Sequence, residues 1–147
     1  MSIDTIRSLT YFVVNRGDCF ICTTSNVGNC YVEGVTYSID CQSMEVCRKN
    51  SYKGETGSSG YTRGDQHATH LRGRNLDNSP LWRHCVEQHG GRMQQFSMAI
   101  TGTFRNDAML RQITEAVQIN NTDRNELMNT RAEWNMARVP RAEIARD

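Results

Sequence analysis

Apolar positions in this chain come in short bursts separated by polar, glycine-containing stretches, the rhythm of a small mixed domain. Residues 1–18, with the run Tyr11-Phe12-Val13-Val14, read as a short lead-in helix or strand. Residues 19–33 read as a cysteine-rich loop that turns at Gly28-Asn29. Val35 to Ile39 is β-branched and aromatic and predicts a first strand. Ser51 to Gly54 starts a second, which makes Cys41 to Lys49 the loop of a hairpin. Ser58-Ser59-Gly60 precedes a helix from about Tyr61 to Leu71. Another is capped by Ser79, opened by Pro80 and stopped by Gly90-Gly91. Met93 to Phe104 alternates through Phe96, Met98 and Ile100 as a third strand. Asn106-Asp107 caps a long helix whose apolar stripe is Met109, Leu110, Ile113, Ala116 and Val117. A last helix or loop holds Leu127, Met128 and Trp134, and the tail carries Arg138-Val139-Pro140-Arg141. The pattern predicts an α+β fold: a small, mostly antiparallel sheet of about three strands flanked by helices, with zinc-bound cysteine-rich loops. Residues 1–33 are expected to be lead-in and first knuckle, 34–135 the core and 136–147 a tail.

A length of 147 residues suits one domain and is too short for two. Apolar residues make up 37%, and the longest apolar run near the N-terminus is far below the roughly 20 residues a bilayer requires. No secretory signal is visible, and neither a membrane protein nor a disordered tail is expected. The net charge of +1 hides an uneven distribution. Residues 1–47 carry two Arg against five acids, a net of −3, and residues 106–147 six basic residues against seven acids, a net of −1. Between Arg48 and Arg105 nine basic residues face four acids, a net of +5, so the middle third is the candidate surface for a polyanion. All the basic residues but Lys49 and Lys53 are Arg, whose fork matches phosphate oxygens. An Arg-rich solvated surface would have the same composition.

Six cysteines occur, five of them between Cys19 and Cys47, and Cys19-Phe20-Ile21-Cys22 has the spacing with which two thiolates converge on one tetrahedral ion. His84 and His89 bring the ligand count to eight, the number two closed zinc sites need. Cys41 and Cys47 with His84 and His89 would make one site. Cys19, Cys22 and Cys30 with Cys85 would make the other. On an ideal helix His84 and His89, five apart, do not share a face, so that pair requires the helix to end before His89. Three disulfides in an extracellular domain, or free core cysteines, are the competing readings.

Val35-Thr36-Tyr37, then Tyr52-Lys53-Gly54-Glu55-Thr56, then Tyr61-Thr62-Arg63-Gly64-Asp65-Gln66-His67, stand in the order that resembles the GIY-YIG nuclease superfamily. Gln112-Ile113-Thr114-Glu115-Ala116 matches that family's downstream helical Glu, and Asn129, or else Asn125 or Asn135, its later Asn. The first motif departs in reading Val-Thr-Tyr, and the second in carrying Lys53. The inserted pair Cys41 and Cys47, joined by a downstream His pair, is similar to the endonuclease domain of Penelope-like retroelements, as is the stretch from Glu133-Trp134-Asn135 to Pro140-Arg141.

The resemblance implies a metal-dependent DNA endonuclease that nicks target DNA for integration, intracellular and nuclear, with a reverse transcriptase preceding it in a larger polyprotein. It casts Tyr37 as general base or relay and Tyr52 as the group orienting water or phosphate. Arg63 would contact the scissile phosphate, His67 would assist, and Glu115 would hold Mg²⁺ or Mn²⁺, with Asn129 weaker. Structural Zn²⁺ would occupy the two cysteine sites. A Tyr with a pKa near 10 is a poor base, so Arg63 and the metal are expected to lower that of Tyr37. Periodicity alone puts Glu115 nearly opposite the apolar stripe, exposed, and leaves Tyr37 and Tyr52 as strand tyrosines and His70 as surface. A zinc-stabilised nucleic-acid-binding module without catalysis is the alternative function. Oligomeric state and target sequence are not legible.

Overall fold

The computed structural model describes residues 17–130. The lead-in up to residue 16, Trp134, Asn135 and the tail 136–147 lie outside the described residues. The elements run α1 (Phe20–Thr23), β1 (Glu33–Cys41), β2 (Ser51–Ser59), α2 (Gly60–Arg72), α3 (Pro80–His89), β3 (Phe96–Thr103), α4 (Ala108–Asn120) and a 3-10 turn at Arg124–Glu126. The fold is α+β, with a three-stranded antiparallel sheet ordered β2-β1-β3. Its first two strands form the expected hairpin, longer on both sides than Val35–Ile39 and Ser51–Gly54 suggest.

β1 is the central strand and is covered on both faces, so its side chains are buried from Val35 to Ile39 without alternation. Val35, Tyr37 and Ile39 join Phe96, Met98 and Ile100 of β3 in one core with Ile21, Leu81, Trp82 and Met128. Helices α1 to α3 cover that side. Each large apolar side chain fully removed from water there contributes about 1.5–3 kcal/mol. The opposite side of the sheet is polar and lies under α4. Thr101 donates to Thr36, Lys53 Nζ donates to Ser38, and Arg111 reaches down to Glu55.

This polar underside overturns the expected orientation of α4. Met109, Leu110, Ile113 and Val117 are 43, 48, 38 and 50% exposed, while Arg111, Ala116 and Ile119 are the buried positions. A helix laid over Thr36, Ser38, Lys53 and Glu55 gains more from an inward Arg than from an inward stripe of aliphatics.

Both outer edges of the sheet are tied off by irregular chain. Along β3, Thr24 and Ser25 bond the main chain of Met98, and Ile100 N–H donates to Val27 O at 3.0 Å. Along β2, Met128 N–H donates to Ser51 O at 2.7 Å, and the Asn129 amide takes both main-chain groups of Lys53. No helix among the described residues is long and apolar enough to cross a membrane.

Candidate active site and metal centres

Tyr37 lies mid-strand in β1, opposite Gly54 of β2. A Cβ at position 54 would sit 2.4 Å from Tyr37 Cζ and 2.5 Å from its oxygen, so glycine is what lets the ring lie across β2. Tyr52, on the same face, brings its ring centroid to 6.3 Å from that of Tyr37. Helix α2 is capped by Ser59, whose hydroxyl accepts from Thr62 N–H at 3.1 Å. A start at Gly60 puts Arg63 and His67, one turn apart, against the two tyrosines. His67 Nε2 is 2.9 Å from the Tyr37 hydroxyl, and Arg63 Nε donates to the same oxygen at 3.1 Å. The His67 ring stands edge-on to both tyrosines, 5.6 Å from Tyr37 and 5.4 Å from Tyr52. Four of the six residues singled out in the sequence therefore form one cluster.

The charges in this cluster differ from expectation at Tyr37. Burial pushes its phenol up to about 12 against the pull of Arg63, and Glu115 and Glu55 add to the rise. Removing a phenolate from water outweighs the neighbouring guanidinium, so Tyr37 is a neutral phenol at physiological pH. Burial, then Arg63 and His70, hold His67 down at about 3. With both groups neutral, Tyr37 O–H donates to Nε2 while its oxygen accepts from Arg63. Burial opposes the Arg63 charge as well, yet Tyr37, Tyr52 and Glu55 together keep its pKa above the ordinary value. Gln66 Oε1 takes a second Arg63 hydrogen at 2.9 Å. These two bonds leave three of the five guanidinium hydrogens, among the described residues, for a ligand.

A cleft of about 150 Å³ opens on this cluster, walled by Tyr52, Arg63, Gln66, His67, His70, Asn78 and Pro80. Tyr37 is fully buried behind that wall, and His70 is part of the wall. Pro80 also borders a second groove of about 330 Å³, whose lining includes Lys49, Arg83 and Arg124. That groove therefore carries three cationic side chains and one acid, Glu87.

Glu115 is half-buried on α4, on the helix side opposite the exposed stripe, and its charge reaches Tyr37. It does not line the Arg63 cleft. Asn129 is buried and spends its amide on β2, accepting from Lys53 N–H at 3.0 Å and donating to Lys53 O at 2.8 Å. It fastens the strand that carries Tyr52.

Sequence reasoning gave no role to Glu55 and Arg111. Arg111 Nε donates to Glu55 Oε1 at 2.7 Å, with side chains 10 and 14% exposed, and the Glu55 charge acts on both Tyr37 and Arg63. The acid in Tyr-Lys-Gly-Glu-Thr was visible; its counter-ion was hidden in the misjudged face of α4.

Among the described residues, two groups of side chains could hold a metal ion. In the first, β1 ends on Cys41, the following loop brings Cys47, and α3 supplies His84 and His89. Cys41 Sγ is 3.8 Å from His89 Nε2, and Cys47 Sγ is 3.6 Å from His84 Nε2. Sulfur and nitrogen on a tetrahedral zinc, at about 2.3 and 2.0–2.1 Å from the ion, stand about 3.5 Å apart, so the donors fit. Helix α3 does not end before His89. It includes that residue and then stops on Gly90 in the left-handed region at φ 63°, with Gly91 N–H closing on Cys85 O at 3.0 Å. The two imidazoles converge all the same, their centroids 5.1 Å apart. Burial, with His89 beside it, holds His84 down at about 4, so it is neutral as a ligand must be.

The second group contains Cys19, Cys22 and Cys30 and lacks Cys85. Cys85 is fully buried on α3, close enough to Cys41 to feel its charge, and belongs to neither group. Eight ligands could be counted in the sequence, but their partition depended on which way α3 faces. All six cysteines are free, and the Cys22 and Cys30 sulfurs, 3.6 Å apart, are far beyond the roughly 2.05 Å of a disulfide. Burial pushes the Cys30 thiol up to about 12, and burial with Cys41 alongside pushes Cys47 up to about 11. Cys30 and Cys47 are therefore protonated thiols until a cation compensates their charge.

No family model, curated protein or solved structure matches this chain. Its function has to be argued from the cluster itself.

Proposed function

We propose that the chain is a metal-dependent DNA endonuclease that hydrolyses phosphodiester bonds, a GIY-YIG-type domain of a Penelope-like retroelement. The observation that carries the reading is the meeting of Tyr37, Tyr52, Arg63 and His67, drawn from three elements, behind and around one cleft. A strand tyrosine kept only for packing has no need of an arginine and a histidine on its hydroxyl, as Tyr37 has. Arg63 supplies positive charge to the scissile phosphate, with the bonds to Tyr37 and Gln66 fixing the plane of its guanidinium. Tyr52, in the cleft wall, orients the attacking water. Tyr37, buried and neutral, acts through Arg63 and His67 as a positioning residue and not as the base. Glu115 would hold Mg²⁺ or Mn²⁺, which when bound polarises the phosphoryl oxygen and offsets charge in the transition state; one carboxylate with water suits such an ion. DNA would follow the groove of Lys49, Arg83 and Arg124, with salt-dependent affinity. Zn²⁺ at Cys41, Cys47, His84 and His89 would brace the hairpin loop against α3. In its natural setting the domain would act in the nucleus, joined to a reverse transcriptase.

One observation favours the alternative of a zinc-stabilised nucleic-acid-binding module: Glu115 stands outside the wall of the Arg63 cleft. Strand cleavage with Mg²⁺ by the wild type, compared with Arg63→Ala, separates the two. A binding module retains DNA and cleaves nothing.

A further inference from the structure

We propose that Cys19, Cys22 and Cys30 form a second metal site, held by three protein thiolates, whose fourth position is taken by exchangeable solvent. This proposal does not depend on the nuclease reading. The three sulfurs lie within 4.8 Å of one another, and the Cys22–Cys30 distance of 3.6 Å approaches the roughly 3.8 Å that separates two sulfurs on a tetrahedral zinc. The local chain is already shaped for thiolates. Cys19 caps α1, and its sulfur accepts the Cys22 N–H at 3.4 Å, a bond that stabilises negative charge on sulfur. All three side chains are buried, and the Cys30 carbonyl accepts from Tyr61 N–H at 2.8 Å, so the third ligand is anchored to α2.

The chain has no cysteine or histidine left to close this site. The 147 residues contain six cysteines and four histidines. Cys41, Cys47, His84 and His89 make up the other group. His67 is bonded to Tyr37, and His70 lines the cleft one turn further along α2. Cys85 faces Cys41. Residues 1–16 and 131–147 contain neither residue type. A cavity of about 380 Å³ has Cys19 in its wall, together with Asp65 and Arg72, and is the side from which a small donor would reach the site. Three thiolates and a labile oxygen make the ion exchangeable with other soft cations and open to a small external thiol, unlike a closed four-ligand site. Loading releases the thiol protons to solvent, and no electron transfer is involved.

The test uses the full chain loaded with Zn²⁺ for metal content and with ¹¹³Cd²⁺ for NMR. The wild type and Cys85→Ala should both hold two ions per chain, and Cys30→Ser should hold one. Two cadmium resonances are expected, and added β-mercaptoethanol should shift one of them, the one that Cys30→Ser removes. One ion in the wild type, loss of an ion in Cys85→Ala, or two resonances indifferent to the thiol would each overturn the proposal. If Cys30→Ser does not fold, the wild type and Cys85→Ala still decide it.

Discussion

The Gly54→Ala substitution would test the packing that builds the tyrosine cluster. The added methyl would lie 2.4 Å from Tyr37 Cζ, against a comfortable carbon–carbon separation of about 3.5–4.0 Å, so the ring must move by more than 1 Å. Tyr37 is fully buried, with the rings of Tyr52 and His67 packed against it. Overpacking of this kind costs about 1–3 kcal/mol. Displacing the hydroxyl also weakens its bonds to His67 and Arg63, together about 2–3 kcal/mol. Replacing glycine in a strand returns about 0.5–1 kcal/mol. The net expectation is a destabilisation of about 3 kcal/mol. Urea unfolding of the metal-loaded protein should show it as a lower midpoint with an unchanged slope. Placing Gly54→Ala in a Tyr37→Leu background should recover most of the loss, because the ring that the methyl strikes is gone. A Gly54→Ala protein within 0.5 kcal/mol of the wild type would refute the packing argument.

Arg111→Met should destabilise by about 3–5 kcal/mol, because it breaks the ion pair with Glu55 at 14% exposure, whereas Arg111→Met with Glu55→Gln should cost much less; thermal melts of both distinguish a pair from independent residues. Asn129→Ala removes both side-chain bonds to the Lys53 main chain on the β2 edge and should cost about 2 kcal/mol, read as a fall of about 6 °C in Tm. His67 adds a pH dependence of defined sign. Its pKa is about 3 folded and about 6.5 unfolded, so its contribution is intact above about pH 6.5 and falls as pH drops towards 3, by roughly 1.4 kcal/mol per unit. Urea titrations at pH 7 and pH 5 should show that loss in the wild type and a smaller one in His67→Gln.

Much of the fold was legible because local chemistry decided it. Ser79 and Pro80 start α3, Ser59 starts α2, Asp107 caps α4, and the β-branched run around Tyr37 forms the central strand. What failed to be legible was orientation. The stripe Met109, Leu110, Ile113 and Val117 announces a helix with one apolar side, but periodicity does not say which side meets the sheet, and here a polar sheet face with an acid on it draws Arg111 inward. The same reversal moves Glu115 from the expected exposed side to a half-buried one. Cys85 shows the corresponding limit for ligands: spacing identifies Cys19 and Cys22 as a pair, but whether a helical cysteine joins them is a matter of tertiary placement. A sequence shows Arg63, which lowers the Tyr37 pKa, and not the depth of burial that raises it.

The most direct test of the nuclease account is conversion of supercoiled plasmid to nicked circle by the zinc-loaded protein with Mg²⁺ or Mn²⁺, alongside Arg63→Ala. The account predicts nicking by the wild type that EDTA stops, and a loss of at least about 100-fold in Arg63→Ala, equivalent to roughly 3 kcal/mol of transition-state stabilisation, with zinc content and far-UV dichroism unchanged. A wild type that binds DNA and never nicks it, or an Arg63→Ala protein that nicks at the wild-type rate, would contradict it.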